Sequence, residues 1–163
     1  MIVRDGDLSD PEVQVLLQAH LAGMQAHSPP GSVHALEPEG LQTPDVSLYA
    51  VWDGDDLLAI GALKAVDATT AEIKSMRTAA AHLRRGAAAL LLDHLISTAL
   101  ARGYRRLSLE TGSGPAFEPA LALYRRYGFE CGESFGGYEA SAFNQFMHLP
   151  LCPDRPGQGQ CLS

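Results

Sequence analysis

Two arginines and a glycine stand directly before a helix-forming run: Leu83-Arg84-Arg85-Gly86-Ala87-Ala88 leads into ALLLDHLISTALAR. A helix N-terminus carries free backbone N–H groups and partial positive charge, so it attracts anions. Gly86 lets a ligand approach the backbone closely, and guanidinium groups add charge-assisted hydrogen bonds worth about 1.5–3 kcal/mol each. The spacing therefore predicts an anion cradle, and a phosphate is the anion it suits best. The cysteines offer no competing chemistry. Cys131, Cys152 and Cys161 form no C-x-x-C pair and have no histidine at ligand spacing, so no metal is expected and they read as free thiols.

The elements that hold this cradle can be taken in chain order. IVRD reads as a short strand, and Asp10-Pro11 supplies an N-cap and a first-turn proline for a helix. Val13, Leu16, Leu17, His20, Leu21 and Met24 recur at helical spacing, and His20, on that apolar face, reads as a satisfied core histidine. HSPPGSVHALEPEGLQTPD is rich in Pro, Gly and Ser and reads as an ordered loop or short helical turns. VSLYAVWDG and DDLLAIGALKAV flank a turn at Asp53-Gly54-Asp55-Asp56 and read as a hairpin. In the strand EIKSMRT, simple alternation puts Glu72, Lys74, Met76 and Thr78 on one face and Ile73, Ser75 and Arg77 on the other. Charge on both faces suggests that this strand lines a cleft, since a strand covered on both sides is rich in Val, Ile and Leu. After Gly86, Ala88, Leu91, Leu92, Leu95 and Ala99 form an apolar stripe. YRRLSLETG reads as the next strand, ALALYRRYG as a further helix, and a closing strand pair is expected around GESFGGYEA and FMHLPL. Strand, helix, strand and helix in succession predict an α/β sandwich.

The chain has 163 residues, which suits one domain with a sizeable core. Residues 1–151 are expected to form it, and the Pro-, Gly- and Gln-rich stretch 152–163 reads as a flexible tail. A net charge of −7 disfavours nucleic acid, which needs a basic face, and is better matched to a cationic substrate. No stretch is long enough to span a membrane, and MIVRDGDLSD lacks the basic start and apolar block of a secretory leader. A cytoplasmic location is the resulting expectation.

Two blocks resemble the GCN5-related N-acetyltransferases (GNAT). Leu83-Arg84-Arg85-Gly86-Ala87-Ala88 is similar to the family's Q/R-x-x-G-x-G/A acetyl-coenzyme A signature. Leu83 departs from it, standing where the family has Gln or Arg, and Arg84 is placed to supply the missing donor. Residues 120–129, Ala-Leu-Ala-Leu-Tyr-Arg-Arg-Tyr-Gly-Phe, match the family's second block, A-L-x-L-Y-x-x-x-G-F. No Walker loop or dinucleotide G-x-G-x-x-G is present.

The resemblance implies an acyl-CoA N-acyltransferase fold: a mixed, mostly antiparallel central sheet flanked by helices, with splayed fourth and fifth strands. It implies acetyl transfer from acetyl-CoA to a primary amine by direct attack in a ternary complex, without a metal. Pantetheine would pair with the backbone of Met76, Arg77 and Thr78, and the diphosphate would rest on Arg84, Arg85, Gly86, Ala87 and Ala88. Tyr124 matches the position that protonates the departing sulfur, and Tyr127 reads as packing. Glu72, at the head of the pantetheine strand, is the candidate base, with a water relay as the alternative. Glu110 and Thr111 follow as acceptor and cofactor contacts, and Ser28, His34 and Glu37 as acceptor-pocket walls. The acceptor is expected to be a small-molecule or peptide amine, and a homodimer is compatible with the sequence. A catalytically weak CoA-binding sensor or partner module is the alternative reading.

Overall fold

A computed structural model of the chain describes residues 1–31 and 38–152. The sheet has seven strands in the spatial order β1-β2-β3-β4-β5-β7-β6: β1 (Ile2–Asp5), β2 (Val46–Asp53), β3 (Asp56–Ala65), β4 (Thr70–Thr78), β5 (Arg106–Thr111), β6 (Glu130–Cys131) and β7 (Gln145–Pro150). Every pairing is antiparallel except that of β4 with β5. That parallel pair requires a crossover, which α2 (Ala87–Ala101) supplies. The mixed, mostly antiparallel sheet is the one expected from sequence.

Helix α1 (Pro11–His27) starts where Asp10 accepts a hydrogen bond from the Glu12 amide at 2.8 Å, with Pro11 in the first turn. Its buried residues Val13, Leu16 and Leu17 pack with Leu48, Ala50, Leu57, Ile60 and Ala62 of β2 and β3. On the opposite face, Leu91, Leu92, Leu95 and Ala99 of α2 are fully buried against Ile73, Leu107 and Leu109. Helix α3 (Glu118–Arg126) joins the same cluster through Leu121 and Tyr124. Full burial of each leucine contributes about 1.5–3 kcal/mol. The α2 stripe matches expectation, save that Ala87 is buried in place of Ala88 and Ile96 is added.

Two departures shape the site. Beyond Glu72 and Ser108 the parallel pairing stops, while β4 runs on to Thr78 and β5 to Thr111. The splay expected of the fourth and fifth strands is present. Within β4, Ser75 and Met76 together oppose Gly61, and Ser75 sits at φ 58°. This bulge resets the alternation. Met76 turns to the α2 side, where it joins the cluster containing Leu91, and Arg77 turns to α1. The simple two-face reading of EIKSMRT is therefore right through Lys74 and reversed after it.

The stretch GESFGGYEA is not a strand, and β6 is confined to two residues. Positive φ at Gly136 and Gly137 turns the chain there, and Phe135 packs against Phe146. Cys131 is a free, exposed thiol as expected, whereas Cys152 is disulfide-bonded, which corrects the reading of three free thiols. Residues 153–163, most of the expected tail, lie outside the described residues. Among the described residues, no helix is long and apolar enough to cross a membrane.

Gly61 is the residue that admits the bulge: a Cβ there would stand 2.6 Å from Met76 Sδ and 3.0 Å from Leu91 Cδ2. Gly61→Val is expected to destabilise the protein by about 1–3 kcal/mol through overpacking, read as a lowered urea midpoint with an unchanged slope. An unchanged midpoint would show that the bulge does not depend on this contact.

Candidate active site

The splay opens a cleft. One wall is β4 from Glu72 to Arg77, the facing wall is Leu109, Glu110 and Thr111 of β5, and α1 and α3 close the sides through His20 and Tyr124. Beyond Glu72 the β4 edge turned toward β5 has no strand partner, so its backbone groups are available to an extended ligand. Of the residues expected to hold pantetheine, Met76 and Arg77 line the cleft, while Thr78 ends the strand just outside it.

Glu72 is deeply buried at 4% exposure. Its Oε2 accepts a hydrogen bond from the Tyr138 hydroxyl at 2.7 Å and contacts Lys74 Nζ at 3.4 Å. Lys74 Nζ also donates to the Tyr138 hydroxyl at 2.5 Å and stands 5.2 Å from the centre of its ring. Burial, and then the Glu72 charge, push the Tyr138 hydroxyl well above the ordinary phenol range, so it remains a proton donor to the carboxylate. Lys74 is readable in sequence, since a residue two places along a strand from Glu72 shares its face. Tyr138 carries no such signal, because it arrives from a glycine-rich loop 66 residues away.

Tyr124 is buried at 6% exposure, edge-on to Phe129, and burial raises its hydroxyl pKa. It faces the cleft from α3 as a protonated phenol. Tyr127 donates to the Ala89 carbonyl and to Asp93, tying α3 to α2, which is a packing role. Glu110 and Thr111 line the cleft, with Glu110 receiving a hydrogen bond from Asn144 at 3.0 Å. Ser28 caps α1 one residue beyond the cleft-lining His27. His34 and Glu37 lie outside the described residues.

None of the residues expected to hold the diphosphate is among those lining this cleft. Gly86 caps α2 at φ 86°, a conformation that glycine adopts without strain, and no side chain fills the cap. Ala87 is buried and Ala88 half-buried in the first turn, and Arg84 is exposed with φ 62°. Arg85 donates to Asp53 at 2.5 Å and meets His82 Nδ1 at 2.9 Å, so its guanidinium is turned to the β2–β3 turn.

His20 was not anticipated as part of the site. It lines the cleft, is buried, and its Nδ1 finds no hydrogen-bond partner among the described residues. It is not the satisfied core histidine its position on the apolar stripe suggested. Burial, followed by the positive charges of Arg77 and Lys74, lowers its pKa to about 4.

The sequence model of the Acetyltransferase (GNAT) family matches residues 14–129. This chain belongs to that family. The GNAT chain is 46% identical over 151 residues to a Bacillus subtilis (strain 168) protein described as the uncharacterized N-acetyltransferase YsnE, covering 93% of this chain and 100% of that one. It is 43% identical over 150 residues to the uncharacterized N-acetyltransferase YedL of Escherichia coli (strain K12), covering 92% and 94%. Among solved structures, a GNAT family acetyltransferase from Elizabethkingia anophelis with acetyl-CoA bound superposes with a TM-score of 0.65 at 18% identity, covering 92% and 97%.

The lowered His20 pKa has a defined sign. A histidine neutral in the folded protein and protonated when unfolded stabilises the fold fully above pH 6.5, and that stability is lost as pH falls toward about 4. The contribution is at most about 3 kcal/mol. Urea midpoints measured from pH 7 to pH 4 are expected to fall less in His20→Gln than in the unmodified protein, and parallel curves would refute the assignment.

Proposed function

We propose that this acetyltransferase moves the acetyl group of acetyl-CoA onto a primary amine by direct attack within a ternary complex. The observation that carries the reading is that the open edge of β4, the buried Tyr124 and the Glu72 carboxylate share one cleft. The donor fits the residues present: the slot between β4 and β5 offers unpaired backbone to an extended pantetheine arm, and the uncapped start of α2 at Gly86 offers free N–H groups to a diphosphate. Arg84 is exposed beside that helix start and adds a guanidinium.

In the transfer, the amine nitrogen bonds to the thioester carbonyl carbon and the carbon–sulfur bond breaks. Three groups of this chain serve the step. A β4 amide stabilises the carbonyl oxygen as it gains negative charge. Tyr124 gives its proton to the departing sulfur, for which a buried, protonated phenol is suited. Glu72 takes the proton lost by the amine, directly or through water, at the oxygen left over by Lys74 and Tyr138, which both engage Oε2. Lys74 and Tyr138 are positioning residues that hold this carboxylate in one orientation.

Tyr124→Phe keeps the ring and removes the hydroxyl, so turnover is expected to fall by roughly 10²–10⁴-fold with little change in acetyl-CoA affinity. Thiol release from acetyl-CoA, paired with calorimetry, checks this; an equal loss in both would make Tyr124 a binding residue. Glu72→Gln is expected to lower the rate most at low pH, where more of the amine carries a proton to be removed. A pH–rate profile coinciding with that of the unmodified enzyme would leave water as the base.

A further inference from the structure

The whole chain is acidic, yet the α1 side of its cleft is not. Glu72 is answered by Lys74 and Glu110 receives Asn144. Arg77 is different. Among the described residues it has no ion-pair partner, and the cause that lowers its pKa is burial, with no acid offsetting it. Its Nη2 is fastened to the carbonyl of His20 at 3.0 Å and reaches that of Ala19 at 3.5 Å, and its Nε is buried without a partner. The guanidinium lies over Gly23, where any Cβ would collide with Nη2. A half-buried cation held in one place without a counter-charge is costly to a fold unless a ligand supplies that charge.

Two further polar groups of the same cleft are unsatisfied. His20 Nδ1 and Ser75 Oγ are buried without hydrogen-bond partners, and both residues stand at 8% exposure or less. The charges acting on His20 are those of Arg77 and Lys74, both positive. Among the described residues, the pocket against α1 therefore combines one uncompensated positive charge with hydrogen-bonding groups that have nothing to bond. A group bearing one negative charge and several acceptor lone pairs satisfies all of them, and a dianion would exceed the one positive charge left unanswered among the described residues. A carboxylate is such a group.

Building on the acetyl transfer set out above, we propose that the acceptor is an amino carboxylate, an amino acid or a close analogue. Its carboxylate docks on the Arg77 side chain, with Ser75 and His20 completing its hydrogen bonds after small rotamer changes, while its amino group faces Glu72. Specificity then arises from an ion pair that an analogue without the carboxylate cannot make, leaving Arg77 unanswered.

The test is a matched panel: free amino acids, their carboxamides and their decarboxylated amines, each assayed by thiol release from acetyl-CoA, with acetyl-CoA affinity measured separately by calorimetry. At least one amino acid is expected to exceed both of its counterparts that lack the carboxylate by about tenfold or more in kcat/KM, mainly through KM. Arg77→Met should abolish that preference and Arg77→Lys should retain part of it. Acetyl-CoA affinity should stay within about twofold in both, because the pantetheine contact assigned to this position is made by its backbone. A panel in which no amino acid surpasses its amide and amine counterparts, with acetyl-CoA binding intact, overturns the inference and leaves the acetyl transfer standing. So does a loss of acetyl-CoA affinity in a folded Arg77→Lys protein, which would assign the side chain to the donor. Absence of acetyl-CoA binding in the unmodified protein would instead defeat the reaction itself.

Discussion

The site depends on the place where two parallel strands stop pairing. Hydrogen bonding between β4 and β5 ends at Glu72 and Ser108, although both strands continue. An unpaired strand edge in a protein interior leaves backbone donors and acceptors without partners, a state that is costly unless a ligand or solvent takes them up. The bulge at Ser75 and Met76 adds to the opening by twisting β4 and moving Arg77 to the α1 side. A straight β4 would have buried Met76 against α1 and sent Arg77 into the α2 core, where its charge has no partner. Gly61 makes the bulge possible by leaving room for the Met76 sulfur.

Around that opening the polar residues divide into a satisfied set and an unsatisfied one. Glu72, Lys74 and Tyr138 neutralise and orient one another, which keeps a buried carboxylate tolerable. Arg77, His20 and Ser75 keep unmet hydrogen-bonding capacity on the other side. The same chain is thus acidic overall and locally electropositive beside α1, because a field inside a cleft is set by its nearest charges and the distant surface ones are screened by solvent.

What the sequence by itself determined is the order of elements and the family. The Asp10-Pro11 helix start, the Asp53–Asp56 turn, the leucine stripe of α2 and the ALALYRRYGF block depend on neighbours within a few residues, and each took the form its residues dictate. Local capping, turn geometry and periodicity act over that range, so they can be read along the chain. That Tyr124 stands on a helix was legible for the same reason, as a fixed position within that block.

The tertiary structure alone decided which charges meet. Tyr138 reaches Glu72 from a loop that reads as a strand, and no spacing connects residues so far apart. Arg85 is drawn to Asp53 across the β2–β3 turn, although its place beside Arg84 and Gly86 suggested only a phosphate. His20 looked like one more member of an apolar stripe, because a period of 3.6 residues says which way a side chain points but not whether a cleft lies there. Alternation along β4 failed at Ser75 because one inserted residue reverses every side chain after it, and the glycine that permits it stands on another strand. Pairing between distant segments depends on how the sheet closes, and that is a property of the folded chain.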